Sequence, residues 1–212
     1  FKKGSNHECV ICDFKASDWV HLPNHDLLCP NCGSLSRDRR LWQLVKENYV
    51  KNDIQILDFS PSRTLFRKWK KEKNVKHIAS DLSGDFIADV TFDITQIPEK
   101  ENTFDLIICY HILEHVIDDV KAMSELHRVL KPNGTVLIQT PFKEGDIYEN
   151  YNISSEAERL LHFGQEDHVR IYSIEGLKNR LVSAGLTVTV NQYEKDAYLG
   201  FSDKEVILFA TK

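Results

Sequence analysis

The sequence predicts an α/β fold: a doubly wound, mostly parallel sheet of seven strands, preceded by a small four-cysteine module. Three observations predict it. Cys9-x2-Cys12 and Cys29-x2-Cys32 form two close pairs. From Asp53 onward, short apolar runs alternate with stretches of helical period. Three of those runs end on a carboxylate, at Asp58, Asp81 and Asp93.

The elements follow in order. Two pairs of thiolates can close a tetrahedron around one ion, and Pro30 and Gly33 suit a tight knuckle. Residues 1–35 therefore read as a zinc ribbon, with Cys9, Cys12, Cys29 and Cys32 as ligands of a structural Zn²⁺. A segment this short and polar could not bury a core without the metal. Residues 36–52 read as a linking helix, capped by Ser36 and striped by Leu41, Trp42, Leu44 and Val45. The third part, 53–212, holds the sheet. Its strands are expected at 54–59, 77–81, 87–93, 104–109, 135–140, 187–190 and 206–210. Helices are expected at 65–72, 118–130 and 173–184, the last with Gly185 past its end. The segment 143–172 is long for a connector and reads as a lid.

Composition excludes several classes. The 212 residues carry a formal net charge of −5 and a pI near 6.0, so the chain is no generally basic nucleic-acid binder. No run of 18 apolar residues exists, so neither a transmembrane helix nor a membrane partner is expected. Residues 1–6 carry no apolar leader, and the cysteine usage fits a reducing cytoplasm. The fifth cysteine, Cys109, lies in an apolar run and is expected to be a buried packing residue.

In a doubly wound sheet, ligands bind beyond the carboxyl ends of the strands. One aspartate there is ordinarily a helix cap. Three at neighbouring strand ends point to a nucleoside-containing cofactor, with Asp81 placed to hold ribose hydroxyls.

Three stretches then carry a resemblance: Asp93-Ile94-Thr95-Gln96-Ile97-Pro98, Phe104 to Val116, and Leu126 to Gly134. Over about residues 53–212 the chain resembles the class I S-adenosylmethionine-dependent methyltransferases, with their Rossmann-like sheet. The Cys32 to Arg37 and His162 to Arg170 segments are similar to a bacterial subgroup of these enzymes. The resemblance implies S-adenosylmethionine as the donor. It implies that Asp58 organises the donor loop containing Ser60 and Ser62. It implies that Asp81, with Leu82 beside it, binds the ribose. Asp93 then faces the adenine amino group, Ile94 offers its backbone to the ring, and Tyr110 and His111 lie under the methyl group. The loop departs from the family's glycine-rich pattern: it reads Phe59-Ser60-Pro61-Ser62-Arg63. Ser permits close approach, whereas Pro61 removes a donor.

Transfer from a sulfonium needs alignment and exclusion of water, and a base only when the acceptor must lose a proton. His111 and His168 are the candidates for that base. His162, Asp167 and Arg170 in the lid, and Arg37 after the second knuckle, are candidates for holding the acceptor. His115 reads as structural. Arg39 and Arg40 extend the basic run at Arg37 and read equally as groups reaching the donor carboxylate or an anionic substrate and as an exposed helix start. The Lys/Arg cluster from Arg63 to Lys76 reads first as a solvated face.

The expected activity is methyl transfer to a small-molecule acceptor. A ribosomal RNA methyltransferase is the first alternative, supported by the basic helix and opposed by the net charge. A non-catalytic binding protein on a degenerate methyltransferase fold is the second, kept open by the glycine-free loop. Oligomeric state is not legible.

Overall fold

A computed structural model of the chain describes residues 2–50 and 53–212. Phe1 of the expected ribbon and Lys51 and Asn52 of the expected linking helix lie outside the described residues.

The N-terminal part has four short strands, β1 (Lys3–Glu8), β2 (Lys15–Ala16), β3 (Val20–His21) and β4 (Leu27–Leu28), paired as two antiparallel ribbons. Helix α1 (Ser36–Asn48) follows. Its cap is Leu35 rather than Ser36: the Asp38 carboxylate accepts the Leu35 N–H at 2.9 Å.

The central sheet contains β5 (Ile54–Phe59), β6 (Val75–Ser80), β7 (Phe104–Tyr110), β8 (Leu130–Gln139), β11 (Thr187–Tyr193) and β12 (Glu205–Thr211). Their order is β11-β12-β8-β7-β5-β6. The four strands β6, β5, β7 and β8 are parallel, and β12 and β11 add antiparallel pairs at one edge. The sheet therefore has six strands, not seven. The run expected at 87–93 makes one isolated bridge, Ser80 to Val90. The Asp89 carboxylate accepts the Ala79 N–H and pairs with Lys70, so a side chain occupies edge groups that a strand's backbone would use.

Helix α2 (Arg63–Trp69) joins β5 to β6, and α3 (Asp119–Val129), capped by Asp118, precedes β8. A 3₁₀ turn at Leu113–His115 follows β7. The segment 143–172 is structured: β9 (Tyr148–Glu149) pairs with β10 (Arg170–Ile171), and α4 (Glu156–Phe163) lies between. Helix α4 has a reciprocal Ser155–Glu158 cap and stops at Gly164, whose φ of 86° suits glycine. Helix α5 (Ile174–Ser183) is capped by Ser173.

Alternation along the strands divides the core between the two faces of the sheet. Leu57, Ile107, Ile138, Met123 and Leu181 belong to one side. Ile56, Ile108 and Leu137 belong to the other, with Leu65 and Trp69 of α2 and Leu41, Trp42 and Val45 of α1. Cys9, Ile11, Trp19 and Cys29 join that second core, so the ribbon and α1 together cover one face of the sheet.

Arg39 and Arg40 hold this covering in place, instead of reaching a ligand. Arg39 donates to the carbonyls of Ser34, Leu27, Leu199 and Gly200, and its guanidinium lies over Trp19. Arg40 pairs with Glu205 at 2.6 Å and donates to the Glu194 and Ser202 carbonyls.

Candidate active site

The four paired cysteines are free thiols whose sulfurs all lie within 4.8 Å of one another. Cys9 and Cys32 are 3.7 Å apart, and Cys12 and Cys29 are 3.8 Å apart. A tetrahedral ion with metal–sulfur bonds of about 2.3 Å separates its ligands by about 3.8 Å. Hydrogen bonds from Cys12 and its neighbours lower the Cys9 and Cys29 thiols, Cys29 to about 6, while Cys12 and Cys32 are raised by theirs. Four thiols at this spacing could hold one cation between them. Asn31 donates to Cys12 Sγ, and Ser34 touches Cys9 and Cys32, a polar surround of the kind that orients ligands. Thr64, at the start of α2, donates to the Cys32 carbonyl at 2.9 Å.

Where the chain leaves β5 for β6 on one side and later returns to β7 on the other, the sheet opens a crevice. Asp58 closes β5 but is no open ligand. Its carboxylate is buried and accepts His77 Nε2–H at 3.2 Å, and burial, only partly offset by His77, pushes its pKa up. It supports the loop from beneath. Ser60 sits at φ +48°, where glycine would be unstrained. Two hydrogen bonds hold it there: its N–H donates to Ser80 O at 2.7 Å, and its hydroxyl to Asp81 at 2.7 Å. Ser62 caps α2 by accepting the Leu65 N–H.

Asp81 lies at the mouth of this loop. Its carboxylate also accepts the Ser83 hydroxyl and the Gly84 N–H. Burial alone would raise its pKa, but these hydrogen bonds outweigh it and the group is held below the usual range. Leu82, Phe86 and Ile87, which follow it in the chain, are exposed apolar residues. Asp93 is exposed and caps its own turn through the Thr95 N–H and hydroxyl, while the Ile94 side chain enters the core. Tyr110 turns its hydroxyl inward. Burial, with Glu205 and Tyr193 nearby, raises its pKa, and the oxygen has no hydrogen-bond partner among the described residues.

Beyond β7 the chain turns sharply at His111, φ +55°. His111 Nδ1 lies 3.2 Å from Glu114, whose carboxylate is buried. Burial works against that charge, but His111 outweighs it and lowers the Glu114 pKa. The lid returns to this turn: the Val169 N–H donates to Glu114 O, and the His168 ring lies edge-on to His115 with centroids 4.6 Å apart. Asp167 orients His115, at 2.9 Å, rather than its sequence neighbour His168. Arg170 does not face an open site. It is fully buried and donates to the carbonyls of Leu113, Val116 and Ile117 and to Glu149. His162 is exposed on α4 and bonded to Tyr148, and Arg37 is exposed on α1. The structure thus gathers His111, Glu114, His115, Asp167 and His168, and leaves His162 and Arg37 outside that group.

Sequence reasoning passed over Glu114 and treated His115 as structural. The signal available was the His111-x-x-Glu114-His115 spacing, which sets three polar groups on one tight turn.

A family described as a methyltransferase domain matches residues 36–190. An uncharacterised protein of Methanocaldococcus jannaschii is 25% identical over 163 residues, covering 72% of this chain and 71% of that protein. An S-adenosylmethionine-dependent methyltransferase from Mesorhizobium loti superposes with a TM-score of 0.58 at 15% identity, covering 81% of this chain and 97% of that one. The [4+2]-cyclase SpnF superposes with a TM-score of 0.57 at 15% identity, covering 82% and 81%. The fold is therefore shared, and it also serves chemistry of another kind.

Proposed function

Because the chain belongs to the methyltransferase domain family that it matches over residues 36–190, we propose that it moves a methyl group from S-adenosylmethionine to a small-molecule acceptor. The observation that carries this reading is Asp81, an aspartate beyond a parallel strand, bonded to a tight serine loop and followed by exposed apolar residues. The donor brings a methyl group already activated by its sulfonium. Paired ribose hydroxyls replace the Ser60 and Ser83 hydroxyls on the Asp81 carboxylate. Leu82, Phe86 and Ile87 give the nucleoside an apolar face. Asp93 and the Ile94 backbone lie along the same edge for the adenine.

His111 and His168 are the groups that take a proton when the acceptor has one to lose. His111 is the more open of the two. The lid, tied to the turn after β7, excludes water from the reacting end. A small acceptor suits this arrangement, because the lid is acidic along Glu156, Glu158, Glu166 and Asp167 and repels a phosphate backbone. The four cysteines hold a structural zinc ion, since their spacing fits a ZnS₄ tetrahedron.

Incubation with methyl-labelled donor and either a metabolite extract or total RNA tests the reading. Label is expected in the metabolite pool. Label in RNA alone would move the acceptor to the alternative class. Failure to bind S-adenosylhomocysteine, by a folded chain, would support the non-catalytic reading.

A further inference from the structure

The turn after β7 carries a buried carboxylate that His111 faces at 3.2 Å but that no group of the described residues meets with hydrogen-bond geometry. Glu114 is 1% exposed, and neither carboxylate oxygen has a hydrogen bond among the described residues. His111 Nδ1 lies 3.2 Å from one of these oxygens without hydrogen-bond geometry. An ionised carboxylate left in this way is costly unless something else meets it.

The two neighbouring imidazoles are set for one kind of partner. His115 Nδ1 faces the Asp167 carboxylate at 2.9 Å, and His168 Nδ1 faces the Phe163 carbonyl at 3.2 Å. Both oxygens are acceptors, so each Nδ1 carries the proton and each Nε2 keeps its lone pair. Fixing the outer nitrogen on a carboxylate or carbonyl is how proteins orient metal-ligating histidines. One ligand atom from each of Glu114, His115 and His168 lies within 4.8 Å of the others.

We propose that Glu114, His115 and His168 form a second metal centre, separate from the cysteines, that takes a divalent first-row transition ion. A two-histidine, one-carboxylate set suits such ions and leaves coordination positions open. His115 is part-exposed, so those positions are reachable from solvent. On the methyl-transfer reading, on which this clause rests, they receive an oxygen of the acceptor, and His111 alone is then left to take a proton, since His168 gives its Nε2 lone pair to the ion.

The test titrates Mn²⁺ into the protein as purified and follows the loss of the free-ion resonance. Mn²⁺ prefers nitrogen and oxygen ligands and does not compete for the thiolates. One bound ion per chain is expected. Glu114→Gln and His115→Gln should weaken it by more than the 10–100-fold typical of losing an outer-shell partner, and Asp167→Asn by about that outer-shell amount. Melting curves identify a variant that has failed to fold. His115 is part-exposed and Asp167 exposed, so their variants keep the test available if Glu114→Gln unfolds. No binding by the wild-type chain, or unchanged affinity in His115→Gln, overturns the metal centre. Calorimetry with S-adenosylhomocysteine on the same samples separates that outcome from failure of the methyltransferase reading.

Discussion

Asp81 meets its hydrogen-bonding needs inside its own loop, so a ribose has to exchange hydroxyl for hydroxyl rather than fill an empty carboxylate. Asp81→Ala should therefore cost only the charge-assisted part, about 1.5–3 kcal/mol, or roughly ten- to hundredfold in affinity for S-adenosylhomocysteine. Calorimetry beside a melting curve reads it, and unchanged affinity would remove Asp81 from the donor site. Glu125 presents a different balance. It takes two hydrogen bonds from Arg128 and one from the Ile97 N–H, and Arg128 reaches the Ile97 and Glu99 carbonyls. Arg128 first, then the backbone N–H, lowers its pKa below the ordinary 4.5. The stability this contributes is present above that value and is lost as pH falls through the lower folded value. Glu125→Gln should make the acid-side loss of stability shallower in denaturant melts between about pH 5 and pH 3. A parallel slope for variant and wild type would contradict this. Part of the Leu126 to Gly134 resemblance is thus a latch between α3 and the turn before β7. At this scale the sequence could place Asp167 beside His168 but could not tell that the backbone turns the carboxylate toward His115.

At the scale of elements, most strands were legible because apolar runs of fixed period are a local property. The run at 87–93 misled because a strand is completed only by its partner, and here Asp89 takes the edge. The lid was legible as a length, not as a fold. Its helix α4 was missed although Ser155-x-x-Glu158 carries the capping signal, since Leu160 and Leu161 remain exposed and no apolar stripe stands out. What ties the lid down is Arg170, with Glu149, Arg180, Asp119 and Tyr172 around it. Removing Arg170 takes the donor from the Val116 and Ile117 carbonyls, opens a cavity where the side chain was fully buried, and leaves Arg180 as the one arginine on Asp119 and Glu149. Arg170→Ala should cost about 3–5 kcal/mol, with hydrogen exchange rising first across residues 143–172. A normal melting temperature with a protected lid would show that the other groups suffice.

For the molecule as a whole, the ribbon is a wall of the core on one face of the sheet. All three tryptophans of the chain, Trp19, Trp42 and Trp69, lie in that core and none in the other. Tryptophan emission therefore reports the ribbon side alone. Strong chelators should shift emission to the red and lower the melting temperature, and Cys29→Ser should do the same without chelator. Unchanged emission in a chain shown to be metal-free would mean that the cysteines pack without an ion. The sequence indicated two separate parts, because cysteine spacing and sheet period are independent signals. It did not indicate that Arg39 and Arg40 join them, since each reads alone as an exposed charge and the carbonyls they meet lie far along the chain.

That distance matters while the protein is being made. Arg39 takes two of its carbonyls from Leu199 and Gly200, some 160 residues later. At 5–20 residues per second, about 8–30 s separate the emergence of the arginine from that of its partners. Throughout that interval Trp19 and the guanidinium over it await the closing segment, and on the zinc reading a metal in the knuckles would hold the early strands in register. A shortage of that ion would be felt on the ribosome, before any substrate is met.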